Sequence, residues 1–237
     1  MTEIPVPSFE TFAKISGWFS EQSKIWLSIV NNTKSFLSNL ELSAPTALGR
    51  AAQFLLFTIT VVSVITFPID SLLWRIKPFD AAGTISGIIL LVMAVLIFTL
   101  AVYFFSKCFL GKGDFFSTLV FMFYSTAFMP FIYLTHYVDR MGPAVRRVML
   151  NEKILDPSAV LEINPAILVV GGLIQLPVII YVIAKSAQVV KFVHRIGYFR
   201  AVIVICLAGI VEQIYEYLIW IPLLGEVIKD FGITSPS

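Results

Sequence analysis

A chain of 237 residues that is 58% hydrophobic with a formal net charge of +2 exceeds the roughly 45–50% apolar content of a soluble globular domain. Its mean hydropathy is +0.88, and the excess lies in long runs, which points to lipid as the solvent rather than to an outsized core. The near-neutral charge excludes nucleic acid as an implied partner.

The first 45 or so residues are mixed and polar, so no cleavable signal peptide is expected there, and the first span should stay as an anchor. Residues 8–43 are amphipathic. Phe12, Phe19, Trp26 and Leu40 fall on multiples of seven, with Ile15, Ile29 and Phe36 on the neighbouring row. Lys14, Glu21, Lys24 and Lys34 fill the other face. One apolar stripe of this kind predicts one or two helices lying on the membrane surface. Docking on the bundle or on a partner helix is the competing reading.

Five runs are long enough to cross a hydrocarbon core of about 30 Å as helices. They cover about 51–69, 81–106, 115–138, 165–184 and 201–224. Backbone groups in lipid must bond within the segment or in a closed barrel, and these runs are too long and too continuous for barrel strands. The fold expected is an all-α polytopic bundle. A surface region spans 1–45, the five-helix unit 46–225 and a short tail 226–237. The connection 139–164 contains Asp156-Pro157, a helix N-cap followed by proline at the first helical position, which predicts a short helix over 157–162.

Lys and Arg divide ten to seven in favour of a cytoplasmic N-terminus, with Arg140, Arg146, Arg147 and Lys153 of the 3–4 loop as the main counterweight.

Two cysteines, Cys108 at the edge of the second run and Cys206 within the fifth, make no disulfide framework and are expected as buried or interfacial thiols. No HExxH, GxSxG or GxxxxGK[ST] pattern occurs, no metal cluster is in view, and no cofactor is expected. His136 and His194 stand far apart. His194, in a Lys/Arg-rich loop, reads as an exposed interfacial residue.

The fifth run holds Glu212, Gln213 and Glu216. The two carboxylates are four apart and share a helix face. An ionised carboxylate at mid-membrane costs roughly 2.5–3.5 kcal/mol by insertion scales. They must be protonated, partnered or hydrated. One reading is a proton or cation site. The others are inward pairing with Gln53, Gln175, Tyr181 or Tyr124, or a place near the far interface beside Tyr215, Tyr217 and Trp220. Pro130, Pro177 and Pro222 sit inside the third, fourth and fifth runs and predict kinks. Gly83 and Gly87 form a small-xxx-small pattern that admits a close helix, within the chain in preference to a dimer.

The stretch Gly111-Lys112-Gly113-Asp114-Phe115-Phe116-Ser117-Thr118-Leu119, with Tyr124-Ser125 and Pro130 beyond it, resembles the pattern of bacterial members of the Yip1-domain family. The basic run from Lys191 to Ala201 is similar to the one ahead of that family's last helix. The resemblance implies five spans, a cytoplasmic N-terminus, a bacterial inner membrane and a non-enzymatic role in membrane organisation, trafficking or partner recruitment. Eukaryotic members contact small prenylated GTPases, but the Asp-Leu-Tyr-Gly-Pro stretch they carry before the first span is missing here. The expected partners are the lipid bilayer and proteins, including a second copy of the chain. The alternative function is a small transporter or channel using Glu212 and Glu216.

Overall fold

The computed structural model describes residues 9–40, 46–74, 81–133, 165–215 and 218. Among these, every regular element is helical. They are α1 (Phe9–Ser38), α2 (Ala47–Trp74), α3 (Ala81–Cys108), α4 (Phe115–Ser125), a 3-10 turn (Thr126–Phe128), α5 (Pro165–His194) and α6 (Tyr198–Tyr215). After the 3-10 turn the chain is α-helical again to residue 133. Five helical segments are long and apolar enough to cross a membrane, and the protein is a multi-pass integral membrane protein. The expected helix over 157–162, together with Glu216 and Pro222, lies outside the described residues.

The helices outrun the apolar runs. α5 has 30 residues and α2 and α3 have 28, about 42–45 Å at 1.5 Å per residue, against a hydrocarbon core of about 30 Å. Hydropathy places the end of α5 at Ala184. The helix goes on to His194 because Ala187, Val189 and Val190 are buried against α4 and α6. Apolar side chains gain nothing by leaving lipid for one another, so this contact rests on close packing and hydrogen bonds.

α4 is the central pillar. Val120 through Tyr124 are buried in succession. Phe121 and Met122 join α3, α5 and α6 through Val102, Val190 and Val204. Val120, Phe123 and Tyr124 join α2 through Ala51, Phe54 and Phe57. Buried hydroxyls are satisfied within the helices: Thr58 donates to the Phe54 carbonyl and Thr99 to the Val95 carbonyl, at 3.1 and 2.7 Å. Pro130 lacks the N–H that would bond the carbonyl one turn earlier, and the helix tightens there into the 3-10 turn Thr126–Phe128. The Ser125 and Thr126 hydroxyls donate to carbonyls three residues back, at 2.8 and 2.6 Å, and the Met129 backbone N–H donates to the Thr126 carbonyl.

α1 crosses the spans rather than following them. Phe19 lies edge-on to Phe57 at 5.7 Å. The Trp26 indole N–H donates to the Ala127 carbonyl at 2.8 Å and its ring stacks on Phe131 at 5.8 Å. The Val30 carbonyl accepts the Tyr181 hydroxyl at 3.2 Å. Phe57, Ala127 and Tyr181 lie ten, twelve and thirteen residues from the helix ends at Ala47, Phe115 and His194, about 15–20 Å along each. At Asn32 the helix bends (φ −141°, ψ 64°), and Phe36 meets Tyr124 at 5.1 Å nearer the loop end. The inward face of α1, with Ile29, Thr33 and Leu37 buried, is therefore docked on the bundle.

Candidate functional site

The 2–3 and 4–5 turns meet at one end of the bundle around His194. α3 closes with two hydrogen bonds, Gly111 N–H to the Ser106 carbonyl at 2.8 Å and Leu110 N–H to the Lys107 carbonyl at 2.9 Å. This is the Schellman pattern, and it needs a left-handed residue before the last donor. Leu110 fills that place at φ 64°, and Arg195, just past α5, stands at φ 53°. A side chain there costs roughly 1–2 kcal/mol relative to glycine.

Lys112 N–H then donates to the His194 carbonyl at 2.8 Å, tying the two turns together. Asp114 caps α4. Its carboxylate accepts the Ser117 backbone N–H at 2.8 Å and the Ser117 hydroxyl at 2.7 Å. These bonds, the backbone one first, hold the Asp114 carboxyl below its ordinary pKa.

His194 is fully buried. Its Nε2 lies 3.1 Å from the Thr118 hydroxyl. That hydroxyl donates its one hydrogen to the Asp114 carbonyl at 2.7 Å, so Nε2–H is the donor of the pair. Nδ1 points at Gly113 and has no hydrogen-bond partner among the described residues. The reading of His194 as an exposed loop residue is thus corrected. The helix runs on to His194, and the turn before α4 folds over its ring.

The glycines of the 2–3 turn are required by closeness. A Cβ at Gly111 would stand 2.7 Å from the Ser106 carbonyl oxygen. One at Gly113 would stand 2.8 Å from both His194 Nδ1 and the Val193 carbonyl oxygen. Of the family-like motif, Gly111, Gly113, Tyr124 and Pro130 are buried and Phe115 is exposed.

Around this joint the surface is mostly basic, with Asp114 as the exposed acid beside it. Lys107, Lys112, Lys191, Arg195 and Arg200 are exposed. The ion pair formed among the described residues lies elsewhere, between Lys14 and Glu10 at 2.7 Å. Leu110 and Phe199 are 83% and 76% exposed on the same end, with Phe115, Phe116, Phe192 and Tyr198 also exposed. Lys107 stands over the Tyr103 ring at 5.4 Å.

Of the residues read as an intramembrane polar site, three lie among the described residues. Glu212 and Gln175 are half-buried and Gln213 is exposed, and each interacts with a neighbour. Two of the suggested partners are placed elsewhere. The Tyr181 hydroxyl donates to α1, and Gln53 is exposed. Tyr124 packs among Phe36 and Phe54. Gly83 and Gly87 lie in α3. Cys108 and Cys206, expected as buried or interfacial thiols, are both exposed. No group of three metal-ligating side chains occurs among the described residues.

One cavity, about 260 Å³, opens between α1, α2 and the segment after the 3-10 turn. Ser23, Trp26, Leu27, Phe57, Thr58, Val61 and Pro130 line it, with no ionisable group. No protein-family model, curated protein sequence or solved structure matches this chain.

Proposed function

We propose that this protein is a non-catalytic membrane organiser of the Yip1-like type, anchored by its five helices and recruiting partners through the end built on His194. The observation that carries the reading is the joined pair of turns. Buried packing and the Lys112–His194 and His194–Thr118 bonds fix them, and they display five cations that form no ion pair among the described residues, with Asp114 engaged by Ser117, beside exposed Leu110, Phe116 and Phe199. A left-handed leucine that is 83% exposed gives the fold nothing that glycine would not give better. Its side chain is accounted for by something that lands on it. Charge at such a surface steers and selects, and the apolar residues supply contact area. The family part of the proposal rests on the motif from Gly111 to Pro130. A bacterial inner membrane and a cytoplasmic N-terminus belong to the same proposal, and the second is supported by the ten-to-seven division of Lys and Arg.

Transport is the second reading, and Glu212 within α6 favours it. A coupled transporter needs a hydrated polar cavity at its carboxylates. The cavity between α1, α2 and the segment after the 3-10 turn is lined by no ionisable group and does not include Glu212.

The test is affinity purification from native membranes of the intact chain and of a Lys112→Glu, Arg195→Glu, Arg200→Glu variant, with mass spectrometry. Recruitment predicts co-purifying proteins that the variant loses while it still inserts and melts as the parent does. Separately, Glu212→Gln with Glu216→Gln should leave insertion unchanged. Proton- or ion-coupled flux in liposomes that this variant abolishes would replace recruitment by transport.

A further inference from the structure

The cavity between α1 and α2 has the same chemistry on every side. Its volume is about 260 Å³, larger than the roughly 150 Å³ of an apolar cavity that stays dry and takes up a small apolar molecule. The polar groups of its lining are already engaged. The Ser23 hydroxyl donates to the Phe19 carbonyl at 2.8 Å and the Thr58 hydroxyl to the Phe54 carbonyl at 3.1 Å. The Trp26 indole N–H is held by the Ala127 carbonyl, and Pro130 has no N–H. A buried water needs about two to four polar partners. Here it would find only hydroxyl lone pairs, so the occupant that fits is apolar.

Depth and charge narrow the choice. Phe57 and Pro130 lie ten and fifteen residues from the helix ends at Ala47 and Phe115, about 15–22 Å along the bundle. The outward side of α1 carries Glu10, Lys14, Glu21, Lys24 and Lys34, all exposed, with Lys14 paired to Glu10. Acyl chains do not solvate such charges, so headgroups and water come to the level of α1. Leu27 lines the cavity and is also 50% exposed, which puts its side chain at the opening. At 3.6 residues per turn, Lys24 stands about 60° round the helix from Leu27 and Glu21 about 120°, so a base is the charge nearest the opening. On α2, Val64 is exposed one turn beyond Val61 of the lining, and an apolar track continues there toward the far end of the spans. A basic rim with an apolar hollow behind it matches an amphiphile with an anionic head and a hydrocarbon tail.

We propose that this cavity is a lipid site, holding one hydrocarbon chain of a bilayer phospholipid whose phosphate lies beside Lys24. The site is separate from the recruiting surface at the loop end.

The test is mass spectrometry of the intact chain released from nanodiscs made of one defined phospholipid. The parent is expected to retain one phospholipid molecule. Val61→Phe fills the cavity and should lower retention several-fold, with a melting point equal to the parent's or higher. Leu27→Asp sets a charge at the opening, at an exposed position, and should lower retention to a similar degree. It decides the matter if Val61→Phe does not fold. Lys24→Glu should weaken retention by a smaller factor, and retention unchanged by it would overturn the placement of the phosphate. A parent that retains no phospholipid overturns the site. So does equal retention by the parent and the two cavity variants, which would put the lipid elsewhere on the surface. A free fatty acid retained in place of the phospholipid overturns the choice of ligand. Partner capture by Val61→Phe is expected to match the parent's, because the loop end is untouched.

Discussion

His194 and Thr118 share a buried hydrogen bond of 3.1 Å across 76 residues of sequence. The bond joins the last residue of α5 to the first turn of α4, and the Lys112–His194 backbone bond closes the same joint. His194→Ala removes a buried ring and leaves a cavity, with an expected loss of roughly 2–4 kcal/mol. Thr118→Val should cost less. A double-mutant cycle on thermal or denaturant unfolding in detergent should give a coupling of about 1 kcal/mol, the ordinary net value of one buried hydrogen bond. Strict additivity would mean that the two side chains do not interact.

Gly113→Ala places a methyl 2.8 Å from the Val193 carbonyl oxygen, and a backbone atom cannot swing aside as the end of a flexible side chain does. A melting shift equivalent to roughly 1–3 kcal/mol of destabilisation is expected. Gly209 in α6 has nothing within 4 Å of the same added carbon. There alanine should be neutral or stabilising by up to about 1 kcal/mol, since it is the better helix former. Equal losses at the two positions would show that Gly113 is not pressed against its neighbours.

Much of the fold was legible, for a reason that also marks where legibility stopped. Hydrocarbon thickness sets a minimum apolar length, and five runs met it. The pattern does not register a helix that continues past its apolar run because its polar end is packed. The final turns of α5, from Lys185 to His194, were lost in that way. His194 then looked like part of a basic loop. The signal that remained was the Gly111–Gly113 pair, which demands close approach but does not say by what. The contacting residue lies some eighty positions further on. Tyr181 was a reasonable partner for a buried carboxylate until the fold placed Val30 of α1 in front of its hydroxyl.

Leu110 offers a test in which stability and recruitment move in opposite directions. Leu110→Gly relieves the left-handed strain at φ 64° and should raise the melting point by the equivalent of about 1 kcal/mol. The same change deletes the most exposed apolar side chain beside Gly111, so partner yield in co-purification should fall. A variant that is both more stable and fully able to capture partners would remove Leu110 from the recruiting surface.

Asp114 gives the pH dependence. Its folded pKa lies below the ordinary value because Ser117 donates to the carboxylate. A depressed carboxyl contributes stability that is present above the unfolded pKa, about 3.9, and is lost as pH falls through the lower folded value. Asp114→Ala should therefore cost about 1 kcal/mol of helix capping at neutral pH. The melting curves of parent and variant should converge in acid, below the folded pKa. A gap that stays constant from neutral to acidic pH would show that the carboxylate charge is not what the cap uses.

The hydrogen bonds that seat α1 reach 101 residues ahead to Ala127 and 151 residues ahead to Tyr181. A ribosome releases the amphipathic segment first and its acceptor and donor much later. α1 must therefore wait, unseated, until the fourth span has entered the bilayer, so a segment made ahead of the spans settles only after most of them are in.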